Sequence, residues 1–238
     1  MTAIRSARDR ARAEVIREIK DEARRQLAAE GAHQLSLRAV ARELGMVSSA
    51  LYRYYPSRDD LLTALIIDAY DAIGTAAEHA AGAGTATGTD LRARWCAVCR
   101  GVRAWARAHP HEYALIYGSP VPGYHAPADT VVPASRVGLV MVELIRQAWA
   151  GGTLHPAYEG PTLSPVLADQ TERVAAALAP ELPDAVVARV LLAWTQLFGM
   201  LSFELFGQLV GSVDPSDDFA AYAAEQMADF VGLRARRS

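Results

Sequence analysis

Cysteine is almost missing from this chain: only Cys96 and Cys99 occur in 238 residues. Two thiols three positions apart cannot form a disulfide framework, so a reducing, cytoplasmic setting is expected. An apolar leader is also missing. The first thirty residues are rich in Arg and Glu and contain no apolar stretch of the signal-peptide kind, so no secretion signal is expected. Unbroken hydrophobic runs are short as well. The most apolar segment, 186–210, is interrupted by Arg189, Thr195, Gln196, Ser202, Glu204 and Gln208. A membrane-spanning helix needs roughly 18 or more nearly uncharged apolar residues, so a buried helix and no membrane contact are expected. Alternation of apolar and polar residues is nowhere sustained enough for a sheet. There is no Gly-rich phosphate loop, no G-x-S-x-G and no H-E-x-x-H, so neither an enzyme nor a cofactor is indicated. Cys96-x-x-Cys99 with His109 and His111 fits no zinc-finger spacing, and no metal site is expected. Residues three apart do share a helix face, so a redox pair stays open beside the reading of two buried small hydrophobes.

What remains is a helical chain. Hydrophobic residues make up 51% of it, enough for substantial cores, and its length suits two domains. The net charge of −3 disguises an asymmetry: residues 1–60 carry +3 and the remainder −6. Only the N-terminal quarter has a field that favours phosphate. Arg5, Arg8, Arg10 and Arg12 form a candidate basic arm. From Arg17 to Arg25 the cations interleave with Glu18, Asp21 and Glu22, which equally suits a solvated face with intrahelical ion pairs.

Apolar spacing and capping residues predict helices over about 10–30, from an N-cap at Ser36 to Gly45, from Ser48 or Ser49 to Tyr54, and over 57–79. Pro56 forces the third to stop, because the residue before a proline is pushed out of helical geometry. Ser57 and Asp60 form a capping box that opens the fourth. The breaker-rich stretch 81–90 marks a domain boundary, giving domains 1–80 and 90–238. Asp90 caps a further helix with Leu91, Trp95, Val98, Val102 and Trp105 on one stripe, a short helical turn follows around 110–117, and helices are expected over about 133–150, 164–178, 183–210 and 217–233, so the fold class is all-α.

Residues 35–62, LSLRAVARELGMVSSALYRYYPSRDDLL, carry the functional signal. Two helices meeting at a steep angle need a small residue at the crossing and a turn residue that tolerates positive φ; Ala41 and Gly45 fill these roles. Val40, Leu44, Met46, Leu51 and Tyr54 fall where inward contacts are required. That leaves Ser48, Ser49, Tyr52 and Arg53 outward, with hydroxyls and a guanidinium able to reach base edges or phosphate. Arg58, at the start of the fourth helix, is placed to hold a phosphate. An ordinary helical hairpin is the alternative.

On these residues the segment 16–65 resembles the DNA-binding domain of the TetR (tetracycline-repressor-like) family. The matching pieces are the ending AAEG of the first helix, the core SLRAVARELGMVSSALYRYYPSRDDLL, and the run LYRYYPSRDDL in place of the family's Leu-Tyr-x-x-Phe-x-x-Lys-x-x-Leu. Tyr55 replaces the usual Phe and Arg58 the usual Lys. The resemblance implies a DNA face of Ser36, Arg38, Ser48, Ser49, Tyr52, Arg53, Tyr54 and Arg58. It also implies a C-terminal regulatory domain that binds a small molecule and dimerises through its last two helices, 183–210 and 217–233. For the effector pocket the large side chains of the middle helices are candidates: Trp105, Tyr113, Tyr117, Met141, Trp149, Trp194, Phe198 and Phe203. Glu204 joins them as a carboxylate in a deeply apolar helix, which must be paired, protonated, at an interface, or waiting for a cation. The expected function is a ligand-responsive transcriptional regulator, a repressor that leaves a palindromic operator when the effector binds. The competing reading is a helical small-molecule-binding or Cys-based redox-sensing protein without DNA binding.

Overall fold

A computed structural model describes residues 7–82, 90–156 and 158–234. Among them are ten α-helices and no strand. They are α1 (Ala7–Glu30), α2 (Leu37–Glu43), α3 (Ser48–Leu51), α4 (Arg58–Gly82), α5 (Leu91–Ala108), α6 (Pro110–Tyr117), α7 (Val131–Ala150), α8 (Pro165–Leu178), α9 (Asp184–Leu205) and α10 (Asp217–Val231). The expected caps are in place. Ser57 N–H donates to Asp60 Oδ2 at 2.9 Å and Asp60 N–H returns a bond to Ser57 Oγ at 3.1 Å. Asp90 Oδ1 accepts from Arg92 N–H at 2.9 Å. Two helices stop short of expectation. α3 closes after Leu51, whose carbonyl accepts from the N–H groups of both Tyr54 and Tyr55. α9 ends five residues before Val210, where Gly207 takes φ +81°.

The helices form two compact units. The first comprises residues up to Tyr70 together with His109–Val131. Ile19, Ala23 and Leu27 on one stripe of α1 are buried with Val40, Leu51 and Leu61. α6 and the loop after it close this core through Leu115, Ile116, Val121 and Tyr124. Polar ties frame it: Asp68 accepts from Lys20 Nζ at 2.8 Å and from Arg24 Nη2 at 2.7 Å, and the Tyr124 and Thr63 hydroxyls are 2.9 Å apart.

Asp71–Ala108 and the residues from Val132 onward make the second unit. In it α5 packs on α9 and α10, and α8 packs on α9. By length and apolarity α9 could cross a membrane, but Val190, Ala193, Leu197 and Leu201 are buried within this unit. Arg136 of α7 grips one side of α4, donating to Asp71 Oδ1 (2.7 Å), Thr75 Oγ1 (3.0 Å) and Glu78 Oε2 (2.7 Å). Gly74 permits that approach, because a Cβ there would lie 2.7 Å from Arg136 Cβ.

This division differs from the expected one at 81–90. Residues 83–89 lie outside the described residues, but the helices on either side of them belong to the same unit. Arg94 Nε donates to Ala81 O at 2.9 Å, and Gly101 sits against Ala80. The breaker-rich stretch therefore joins two packed helices of one unit. The division falls within α4, after Tyr70, and α6 goes with the first unit because its apolar side completes the α1 core.

Glu204 is paired. Arg103 Nε and Nη2 donate to its two oxygens at 2.8 and 2.6 Å, Ser216 Oγ donates at 2.8 Å, and Arg103 Nη1 reaches Asp217 Oδ1 at 2.7 Å. Burial alone would raise the Glu204 carboxyl, but the Arg103 and Ser216 hydrogen bonds outweigh it and hold its pKa below the ordinary value. A carboxyl depressed in the folded state stabilises fully above its unfolded pKa, and that contribution fades as pH falls through the folded value. Arg103→Met is expected to cost about 1–3 kcal/mol near neutral pH, because it leaves a part-buried carboxylate with only Ser216 and the more distant Arg107. Urea denaturation at pH 7 and pH 3 checks this: the loss at pH 7 should shrink markedly at pH 3.

Candidate nucleic-acid interface

The reading helix is positioned from its ends. Ser36 Oγ accepts from Ala39 N–H at 3.4 Å and starts α2. At its other end Gly45 adopts φ +63°, a conformation that costs little only without a Cβ, and Met46 N–H donates to Ala41 O at 2.8 Å to lock the turn. Val40 and Ala41 are buried under it, as expected of the crossing. Leu51 is fully buried and Tyr55 nearly so, so the rest of α3 faces outward. Burial pushes the Tyr55 hydroxyl up to about 12, with Asp68 adding to the rise; its ring acts as an apolar anchor.

Ser48, Ser49 and Arg53 are exposed, and Tyr52 is 41% exposed. A notch of about 440 Å³ gathers four of the expected DNA-face residues, Ser36, Arg38, Tyr52 and Arg58, with Ser57 beside them. Hydroxyls and an exposed guanidinium around an open notch can donate to a sugar-phosphate oxygen, while the α3 hydroxyls and Arg53 present groups that can address base edges.

Two of the residues that the resemblance assigns to the DNA face turn toward the protein, Tyr54 as its spacing requires. Tyr54 is half-buried against the core, with the Arg12 guanidinium 5.0 Å from its ring centroid. Arg12 with Arg8 and Arg10 lies on α1 and not on an extended arm; Arg5 falls outside the described residues. Arg58 turns its N–H groups into the protein: Nε donates to Leu35 O at 3.1 Å, Nη2 to Ala32 O at 2.8 Å, and Nη1 to Asp59 Oδ1 at 3.3 Å. Its guanidinium ties the start of α4 to the turn before α2. The spacing of the sequence shows none of these carbonyl contacts, since the acceptors are backbone atoms more than twenty residues away.

Residues 19–65 match the family described as "Bacterial regulatory proteins, tetR family", and residues 95–228 match "Tetracyclin repressor-like, C-terminal domain". The second match alone spans more than half the chain. This chain belongs to the TetR family. It is thus a DNA-binding transcriptional regulator and not an enzyme. HTH-type transcriptional regulator Rv1816 of Mycobacterium tuberculosis and HTH-type transcriptional regulator Mb1846 of Mycobacterium bovis are each 40% identical to it over 203 residues, 83% of either chain. Among solved structures, the regulatory protein SCO4313 superposes with a TM-score of 0.74 at 34% identity, covering 93% of this chain and 98% of that one. A tetR-family regulatory protein from Rhodococcus RHA1 shares the fold at 16% identity, with a TM-score of 0.60 over 92% of this chain and 98% of that one.

The residues nominated for an effector pocket in this TetR-family regulator do not come together. Tyr113 and Tyr117 belong to the first unit, where their rings lie 5.2 Å apart and Tyr117 meets Tyr70 edge-on at 5.9 Å. Trp105, Met141 and Phe198 are buried core, Trp149 and Phe203 are exposed, and Glu204 is bound to Arg103. Trp194 lines an apolar cleft between α7, α8 and α9. Sequence spacing missed its other walls because they are small residues and ordinary aliphatics such as Ala134, Gly138 and Val187. The thiols are buried, and burial pushes them up to about 11 for Cys96 and about 12 for Cys99. Thiols held protonated at neutral pH are poor nucleophiles, which removes the support for a redox pair.

Arg58→Ala is expected to lower the stability of the first unit by about 1–2 kcal/mol, because it leaves the Ala32 and Leu35 carbonyls without their charged donor. Chemical denaturation followed by tyrosine fluorescence reads this directly, and an unchanged midpoint would show that the guanidinium does not position the motif.

Proposed function

We propose that this TetR-family regulator is a homodimeric repressor that leaves a palindromic operator when a small molecule binds its C-terminal unit. The observation that carries the reading is the outward face of α3. Ser48, Ser49, Tyr52 and Arg53 stand clear of a core that buries Leu51 and Tyr55 beside them. A helix so presented fits the major groove, with Arg38 and the Ser36–Tyr52 notch against the flanking backbone. It acts in the cytoplasm, where the operator is. Arg58 supports this contact by holding the α2 start in place more than by touching phosphate itself.

Two such readers must be held about one DNA turn apart, which requires a twofold partner. The last two helices supply a surface for it. Leu192 and Phe203 on α9, Phe206 just beyond it, and Phe219 and Tyr222 on α10 are all exposed, a concentration of large apolar side chains that a monomer seldom leaves in water. An effector that binds better to a dimer with different reader spacing shifts the population away from DNA. Helix α4, which supplies buried residues to both units, is the connecting element of this mechanism.

Tyr52→Ala and Arg53→Ala should each weaken operator binding by about tenfold or more while leaving the folded dimer intact. Gel shifts on fragments flanking the regulator's own gene measure this; wild-type affinity in both variants would remove α3 from the interface. Phe203→Asp should yield a folded monomer with operator binding lost, read by analytical ultracentrifugation alongside circular dichroism.

A further inference from the structure

The cleft between α7, α8 and α9 holds about 180 Å³. Rooms of about 150 Å³ with aliphatic and aromatic walls stay dry and accept benzene, so this one suits a body of about ten heavy atoms. None of its lining side chains is ionisable. A carboxylate or ammonium entering it would lose hydration and meet no counter-charge. Leu139, Leu178 and Leu191 line it and stay more than a third exposed, which leaves a path inward.

Its polar content is limited to two groups. Ser135 spends its hydroxyl proton on Val132 O at 2.8 Å. Trp194 stacks edge-on to Phe198 at 5.6 Å, and its indole N–H has no protein acceptor among the described residues. Gly138 is the sharper clue. Glycine is a poor residue inside a helix; in this unit close packing accounts for Gly74 against Arg136 and Gly101 against Ala80, while Gly199 of α9 is exposed with nothing near it. At Gly138 no packing demands it: a Cβ would meet a single atom, Trp194 Nε1, at 4.0 Å. The missing side chain keeps the cleft open and the indole N–H reachable.

We infer that this cleft binds an uncharged, lipophilic small molecule, a ring of about ten heavy atoms bearing one hydrogen-bond acceptor for Trp194 Nε1. The inference rests on the ligand-responsive reading above and names the class of its effector. α7 forms one wall and carries Arg136, whose guanidinium holds Asp71, Thr75 and Glu78 of α4. A molecule wedged against α7 therefore acts on the helix that grips α4.

The test titrates the full chain with acetophenone, ethylbenzene and benzoate while following the Trp194 indole N–H signal, assigned by its loss in Trp194→Phe. Acetophenone should shift that signal saturably, ethylbenzene should bind at least threefold more weakly, and benzoate at least tenfold more weakly. Gly138→Leu fills the room with a better helix former and should weaken acetophenone binding at least tenfold, with helicity and operator affinity kept. Gly138→Ala should give a smaller loss, and it carries the test if the leucine variant does not fold. No saturable shift in the wild type, undiminished binding in both variants, or benzoate binding as tightly as acetophenone overturns the proposal. A change of oligomeric state in Gly138→Leu with acetophenone binding intact assigns the cleft to a second copy and overturns it too. Operator release is measured separately. Saturable binding without release by any compound tested sinks the ligand-responsive reading while the cleft assignment stands; release by a compound that leaves the Trp194 signal unmoved does the reverse.

Discussion

Burial of Leu51 is the interaction on which the reading surface depends, because a helix as short as Ser48–Leu51 lies far below the length at which a helix persists by itself in water. Its orientation must come from tertiary contacts. Leu51 is fully buried among Ile19, Val40 and Leu61, and Tyr55 follows it inward. With one side of the turn fixed in this way, Ser48, Ser49, Tyr52 and Arg53 have nowhere to go but outward. The positive φ of Gly45 and the Arg58 contacts to backbone carbonyls set the two ends of the same arrangement. Specificity and stability are thus supplied by different residues of one short segment.

Charge is distributed to match. Several acidic residues of the first unit are engaged with cations of the same unit, as Asp68 is with Lys20 and Arg24, while Arg38 and Arg53 are exposed on the reading side. In the second unit arginines are spent on structure. Arg92 holds Glu225 and Asp229 of α10, Arg103 holds Glu204 and Asp217, and Arg136 holds Asp71 and Glu78. Such pairs between helices add geometric specificity where aliphatic packing alone would let the helices slide. They also explain how a carboxylate survives in the apolar helix α9 without being a ligand site.

Much of this was legible along the chain, and for local reasons. Pro56 ends α3, the Ser57–Asp60 box starts α4, and Gly45 marks the turn, because each acts on its immediate neighbours through sterics or a short-range hydrogen bond. The misreadings share the opposite property. The stretch 81–90 carries strong breakers, yet a breaker reports only that a helix stops and is silent on whether the next helix packs beside the last. Tyr113 and Tyr117 read as pocket residues from their size, but α6 packs on α1, and that contact spans about eighty residues of sequence. The Arg58 contacts to the Ala32 and Leu35 carbonyls were equally hidden, since backbone acceptors leave no trace in side-chain spacing.

The all-α class, the helix-turn-helix at 35–62 and the outward identity of Ser48, Ser49, Tyr52 and Arg53 are written in the chain, since they follow from periodicity, caps and turn chemistry acting over a few residues. Long-range packing is what makes α6 complete the first core, pairs Glu204 with Arg103, and leaves an open apolar cleft between α7, α8 and α9. Those outcomes depend on which distant faces meet. A cavity in particular is defined by where side chains fail to fill space, and no residue in a sequence announces a void.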